Sequence, residues 1–169
     1  MIVDVHTHIF PSHRASKILR ELGEKAGLPC YCDGTADDLV RSMDQGGVDL
    51  ALVSRIATGP EKVAPINQWV LRSKGRRTHP MATMHPDLLM GTDRIRKLKN
   101  QGFVGFKIHP DFQGFYVDDK RAYPFYEAAQ AEGMPILFHA GVDRGLPYPV
   151  HSTPERLARV LRDFPHPLP

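Results

Sequence analysis

The chain has 169 residues, a formal net charge of +3, 41% hydrophobic and 24% charged residues. That length suits one ordinary domain over residues 1–169 with a sizeable buried core. A mild charge without a basic stripe excludes nucleic acid as the expected partner. No apolar run approaches the ~20 residues that cross a bilayer, and no basic-then-apolar leader opens the chain, so a cytoplasmic protein with no membrane partner is expected.

Alternating β-branched residues in Ile2–His6 predict a first strand, which ends in His6-Thr7-His8. Residues two apart on a strand point the same way, so two imidazoles at this spacing suit one metal ion. A helix over Ala15–Ala26 follows, with Ile18, Leu19 and Leu22 at helical spacing. Cys30 and Cys32 are too few for a disulfide framework or a four-thiolate metal site and are read as reduced loop thiols. Thr35 with Asp38 three residues on predicts a capped helix that stops at Gly46-Gly47.

Leu50–Ser54 is the second predicted strand, followed by a helix around Pro65–Lys74. Pro80–Met84 is the third strand. Asp93–Gln101 is helical, capped by Thr92 and closed by Gly102. Phe103–His109 is the fourth strand. Ala122–Glu132 is helical, with Pro124 tolerated in its first turn. Pro135–His139 is the fifth strand, and Thr153-Pro154-Glu155 opens a last helix to about Asp163. Strands spaced by helices predict right-handed βαβ units and a parallel sheet.

Alternation tests this architecture. Val104, Phe106 and Ile108 share one face of the fourth strand, while Gly105, Lys107 and His109 share the other. In the fifth strand Ile136 and Phe138 oppose Leu137 and His139. In the first, Val3 and Val5 oppose Asp4, His6 and His8. An apolar outer face packed under helices and a polar inner face near the mouth is the pattern of a parallel barrel. Asp4 is placed to orient a ligand imidazole. His13, His79, His85, His151 and His166 fall in loops or beside proline and are read as solvated, His85 also as a candidate for the mouth.

Three segments carry a resemblance: Asp4-Val5-His6-Thr7-His8, Gly105-Phe106-Lys107-Ile108-His109-Pro110, and Pro135-Ile136-Leu137-Phe138-His139-Ala140-Gly141. Together they resemble the metal-dependent amidohydrolase superfamily, in its amidohydrolase-related branch of hydrolases and decarboxylases. The resemblance implies a (β/α)8 barrel of TIM type and a small-molecule substrate. It implies a divalent metal on His6, His8 and His139, zinc first, with manganese or iron as alternatives. It also implies catalytic roles for Lys107 and His109. Lys107 either carries a carboxylate that bridges two metals or remains a free amine beside one; His109 then meets substrate or metal.

The implied reaction is attack of metal-activated water on an amide, ester or similar bond. Decarboxylation of an aromatic or unsaturated acid is the alternative, and an inactive assembly module is a further one. The family pattern adds a histidine on a sixth strand and an aspartate on an eighth. A whole barrel takes about 250 residues, so the chain resembles a member truncated after its fifth β/α unit. Proton transfer then lacks a candidate, and open strand edges are expected to favour self-association.

Overall fold

The computed structural model describes residues 1–146 and 149–164, so His166 lies outside the described residues. Five strands alternate with helices. They are β1 (Val3–His8), β2 (Leu50–Ser54), β3 (Thr78–Pro80), β4 (Phe106–Ile108) and β5 (Ile136–Phe138). The helices are α1 (Ser12–Ala26), α2 (Ala36–Gly46), α3 (Val63–Leu71), α4 (Thr92–Gln101), α5 (Pro110–Gln113), α6 (Tyr123–Ala131) and α7 (Pro154–Asp163). Every pairing is parallel: β1 with β2, β2 with β3, and β4 with β5. Among the described residues no helix is long and apolar enough to cross a membrane.

Local chemistry accounts for the ends. The Thr35 hydroxyl accepts from Asp38 N at the start of α2, and Thr153 accepts from Arg156 N at the start of α7. Gly47 and Gly102 close α2 and α4 at φ 64° and 103°, where a side chain would be strained. Several boundaries differ from expectation, among them α1, which starts at Ser12 rather than Ala15, and β4, which shortens from Phe103–His109 to Phe106–Ile108. Gly91, not Thr92, caps α4. A 3-10 turn at Pro60–Lys62 precedes α3, which ends at Leu71, and another at Lys120–Ala122 precedes α6. The short α5 has no apolar period to betray it; Pro110 at its first position and the His109 side chain capping Phe112 N form it.

The third strand is also shifted. Its ladder with β2 lies at Thr78–Pro80 rather than Pro80–Met84. Beyond Pro80 the chain stays extended but changes partner. Met81 N still reaches Val53 O, then Ala82 N donates to Gly105 O and Lys107 N to Ala82 O, both at 2.8 Å. The bridge from Ala82 to Phe106, with Val104 N donating to Pro80 O at 3.0 Å, joins the two sheets.

The core lies beside β4 and β5, under α4, α6 and α7. Phe106, Ile108, Ile95, Phe125, Met134 and Val160 belong to one buried cluster, each large side chain contributing about 1.5–3 kcal/mol of burial. The opposite edge differs from expectation: Val3 and Val5, expected under helices, are 38% and 51% exposed.

Gly105 shows how tightly the sheets are joined. A Cβ there would lie 2.7 Å from Pro135 O and 3.2 Å from the Met81 methyl. Backbone cannot yield as a side chain can, so Gly105→Ala is expected to cost about 1–3 kcal/mol in chemical unfolding. An unchanged midpoint would show that the two sheets are not locked here.

Candidate functional site

The carboxyl ends of β1, β2, β4 and β5 open on one cavity of about 490 Å³, lined by His6, His8, Arg55, His109, His139 and Asp143 among apolar residues that include Phe10, Ile56 and Phe112. Four of the five sequence-selected site residues therefore share a cavity. Lys107 lies beneath it, fully buried.

A bulge sets the first pair. Between Asp4 and Thr7 strand β1 advances three residues while β2 advances from Ala51 to Val53. The extra residue re-aims the side chains, and His6 Nε2 stands 3.2 Å from His8 Nε2. His8 Nδ1 is 3.0 Å from Ser54 O. A carbonyl only accepts, so Nδ1 carries the proton and the Nε2 lone pair of His8 faces His6. Asp4 does not orient an imidazole: its Oδ1 accepts from the backbone N of His6, a turn-like bond the bulge makes possible.

The second group comes from β4 and β5. The rings of His109 and His139 stack with centroids 3.9 Å apart and planes 6° from parallel. His109 Nδ1 accepts from Phe112 N at 3.4 Å, so Nε2 carries the proton and donates to Asp143 Oδ2 at 3.1 Å. Gln113 holds the same residue from below, its Oε1 accepting from His109 N at 2.8 Å and its amide donating to Met84 O. Buried His139 Nε2 has no hydrogen-bond partner. His109, His139 and Asp143 each offer a donor atom within 4.8 Å of the others.

Burial controls the electrostatics. It pushes His8 and His109 down to about 4 and lowers His6 and His139, so all four rings are neutral near pH 7, and the lone pair of each ring other than His109, whose two nitrogens are already bonded, is available to a cation. The residues present fit a divalent metal on this ground: an orphaned buried Nε2 on His139 and a facing lone pair on His8. Lys107 is also forced by burial, down to about 8, and its Nζ has no partner.

Sequence reasoning missed Asp143 and Arg55. Each immediately follows, or lies a few residues beyond, a strand end at the mouth, and that position was the available signal. His85, expected in solvent, is buried, with its Nδ1 accepting from Asp87 N. His151 is half-buried, its Nδ1 3.3 Å from Pro110 O. Cys30 and Cys32 are free and exposed.

An α/β fold of parallel strands with a histidine-rich mouth defines the class, and comparison supplies the family. The amidohydrolase family model matches residues 3–168. The chain belongs to that family. No curated protein matches it. Among solved structures, 4-oxalomesaconate hydratase from Rhodopseudomonas palustris is similar at 21% identity and TM-score 0.54, covering 82% of this chain and 52% of that one. A probable 2-pyrone-4,6-dicarboxylic acid hydrolase from Acinetobacter baumannii gives 15% identity and TM-score 0.54, with 98% and 54% covered. The 5-carboxyvanillate decarboxylase of Novosphingobium aromaticivorans, solved with manganese, gives 15% identity and TM-score 0.59, with 97% and 54% covered. The chain thus spans about half the length of these structures.

Lys107 yields a stability test. Its pKa falls from 10.5 to about 8 on folding. Folding therefore disfavours its charged form, and the penalty is full below about pH 8 and gone above 10.5. Wild-type stability should rise with pH through that window. Lys107→Met should be more stable at pH 7, by about 1–3 kcal/mol, and should lack this slope in urea unfolding. Equal stability of the two chains at pH 7 would mean the amine has a partner.

Proposed function

We propose that the chain forms the first five β/α units of a metal-dependent hydrolase barrel and that its cavity holds a divalent metal. The observation that carries this is the convergence of His6, His8, His109, His139 and Asp143 on one cavity at the strand ends. In this reading His6, His8 and His139 are the ligands. Imidazole donors suit zinc or iron, with zinc the first choice, and manganese is the alternative where Asp143 adds an oxygen donor. Bound there, the metal would supply Lewis acidity, polarising a carbonyl and acidifying water.

The protein's own residues do the rest. Ser54 O fixes the tautomer of His8, and the stacked His109 ring fixes the plane of His139. The apolar walls formed by Phe10, Ile56 and Phe112 thin out water around a bound molecule. Asp143 Oδ2, at the cavity wall, accepts the His109 Nε2 proton and is the carboxylate placed to take a proton released by the nucleophile. Lys107, with a neutral amine accessible near pH 8, is suited to form a carbamate with carbon dioxide: its nitrogen bonds the carbon and loses one proton. The substrate is a small molecule with a hydrolysable carbonyl.

Metal analysis tests the reading. Purified wild type should carry or take up zinc or manganese, and the His6→Ala/His8→Ala double variant should lose it. Asp143→Asn, which leaves His6, His8 and His139 in place, should retain metal uptake. A wild-type chain that takes up no divalent metal above pH 7 would overturn the proposal.

A further inference from the structure

Cys30 and Cys32 take no part in the cavity chemistry, yet one of them is fastened to a cavity wall. Both thiols are free and exposed. They flank Tyr31, itself 95% exposed, in the loop that leads from α1 to α2. Two residues of extended chain span at most about 7 Å, so a slight turn brings the two Cα atoms into the range of about 4.4–6.8 Å that a disulfide bridges. Among the described residues no backbone group of residues 29–32 is hydrogen-bonded, so the segment can tighten without breaking other structure.

The Cys30 thiol rests on α1, where Sγ donates to Leu19 O at 3.4 Å. The bond from Leu28 N to Gly23 O, at 3.0 Å, lays the returning chain along the same helix. Gly23 permits this approach: a Cβ there would lie 2.8 Å from Leu28 O and 3.3 Å from Cys30 Sγ. Leu19 and Gly23 are the immediate neighbours of Ile18 and Leu22, the α1 residues that line the histidine cavity. Ala15 is the one buried residue of α1, so the helix has few apolar ties elsewhere. We propose that Cys30 and Cys32 form a dithiol modification site, oxidised to an intrachain disulfide by a small-molecule disulfide, and that this oxidation loosens the α1 wall of the cavity.

The exchange balances. The Cys32 thiolate, without a hydrogen-bond partner among the described residues, attacks one sulfur of the oxidant and releases one small thiol. The Cys30 thiolate then attacks Cys32 Sγ in the mixed disulfide and releases the second. The protein gives up two electrons and two protons, and the oxidant becomes two thiols. Cys30 Sγ, now without a proton, no longer donates to Leu19 O and turns from α1 toward Cys32. Exposed disulfides sit at higher potentials than buried structural ones and are reduced more readily, which suits a reversible site rather than a staple.

The purified full chain is incubated with reduced or with oxidised glutathione and read by intact mass and by hydrogen exchange. With oxidised glutathione the wild type should lose the mass of two hydrogens, retain no glutathione, and return to its starting mass with dithiothreitol. Amides of α1 should then exchange about threefold or more faster, while those of α4 and α6, beside the core, should not change. Cys32→Ser keeps the Cys30 thiol on Leu19 O, so its α1 should exchange as in the reduced wild type under reducing conditions, and it should never lose two hydrogens. Both cysteines lie outside the metal-ligand set, so Cys32→Ser should take up metal as wild type does, and the outcome here is distinct from that of the metal analysis. A lasting glutathione adduct, or a disulfide between two chains in place of the internal one, would overturn the dithiol site. Unchanged or slower exchange of α1 in the oxidised chain would overturn its coupling to the cavity wall.

Discussion

Parallel pairing is the constraint on which the site depends. In a parallel ladder every strand ends at the same side, so residues that close their strands become neighbours whatever their separation in sequence. The bond from His139 N to Ile108 O, at 2.8 Å, brings the residue after β5 beside the residue after Ile108, and the stacked imidazoles of His109 and His139 follow from it. The pairing of His8 with Ser54 does the same at the other edge and supplies the carbonyl that sets the tautomer of His8. Had these strands run antiparallel, the same histidines would lie at opposite ends of the sheet.

The mouth assembled this way has an unusual charge balance. Four imidazoles are kept neutral by burial, while Lys107 and Arg55 have no acidic partner among the described residues. Asp143, the one carboxylate lining the cavity among the described residues, is tied to His109. Neutral nitrogens with lone pairs favour a cation at the centre. Unpaired cations at the wall and floor favour an anion next to it. Both preferences cost stability, since each leaves a polar group without a protein partner. A core that satisfied itself would have used apolar residues at these positions.

Much of this was legible in the residues, for physical reasons that can be named. Thr35 and Thr153 signalled their helices because a hydroxyl before a helix has one use, to accept an orphan N–H. Alternation in β4 separated Phe106 and Ile108 from Lys107, because a strand has no other way to sort its side chains. The bulge in β1 was not legible. It depends on how far β2 advances against β1, a long-range fact, and it took Asp4 away from the imidazoles. Asp143 and Arg55 were missed for a related reason: loops carry no period, and their side chains gain meaning only from what the fold places opposite them. His85 shows the converse, a histidine beside proline that tertiary packing buries.

The two halves of the site rest on unequal foundations. Lys107, His109 and His139 stand against the main core, where Phe106, Ile108 and Met134 are almost wholly buried and Gly105 admits no side chain. His6 and His8 stand on β1, whose Val3 and Val5 face solvent and whose ladder is interrupted by the bulge. Local opening is cheapest where few apolar contacts must break, so opening is expected first at the solvent-facing side of β1. A cation held by both would tie the loose edge to the firm one. Its binding energy would then be shared between ligation and the ordering of β1, by the linkage that makes a ligand stabilise whichever state binds it. In that case metal uptake and the integrity of the first strand would be one equilibrium.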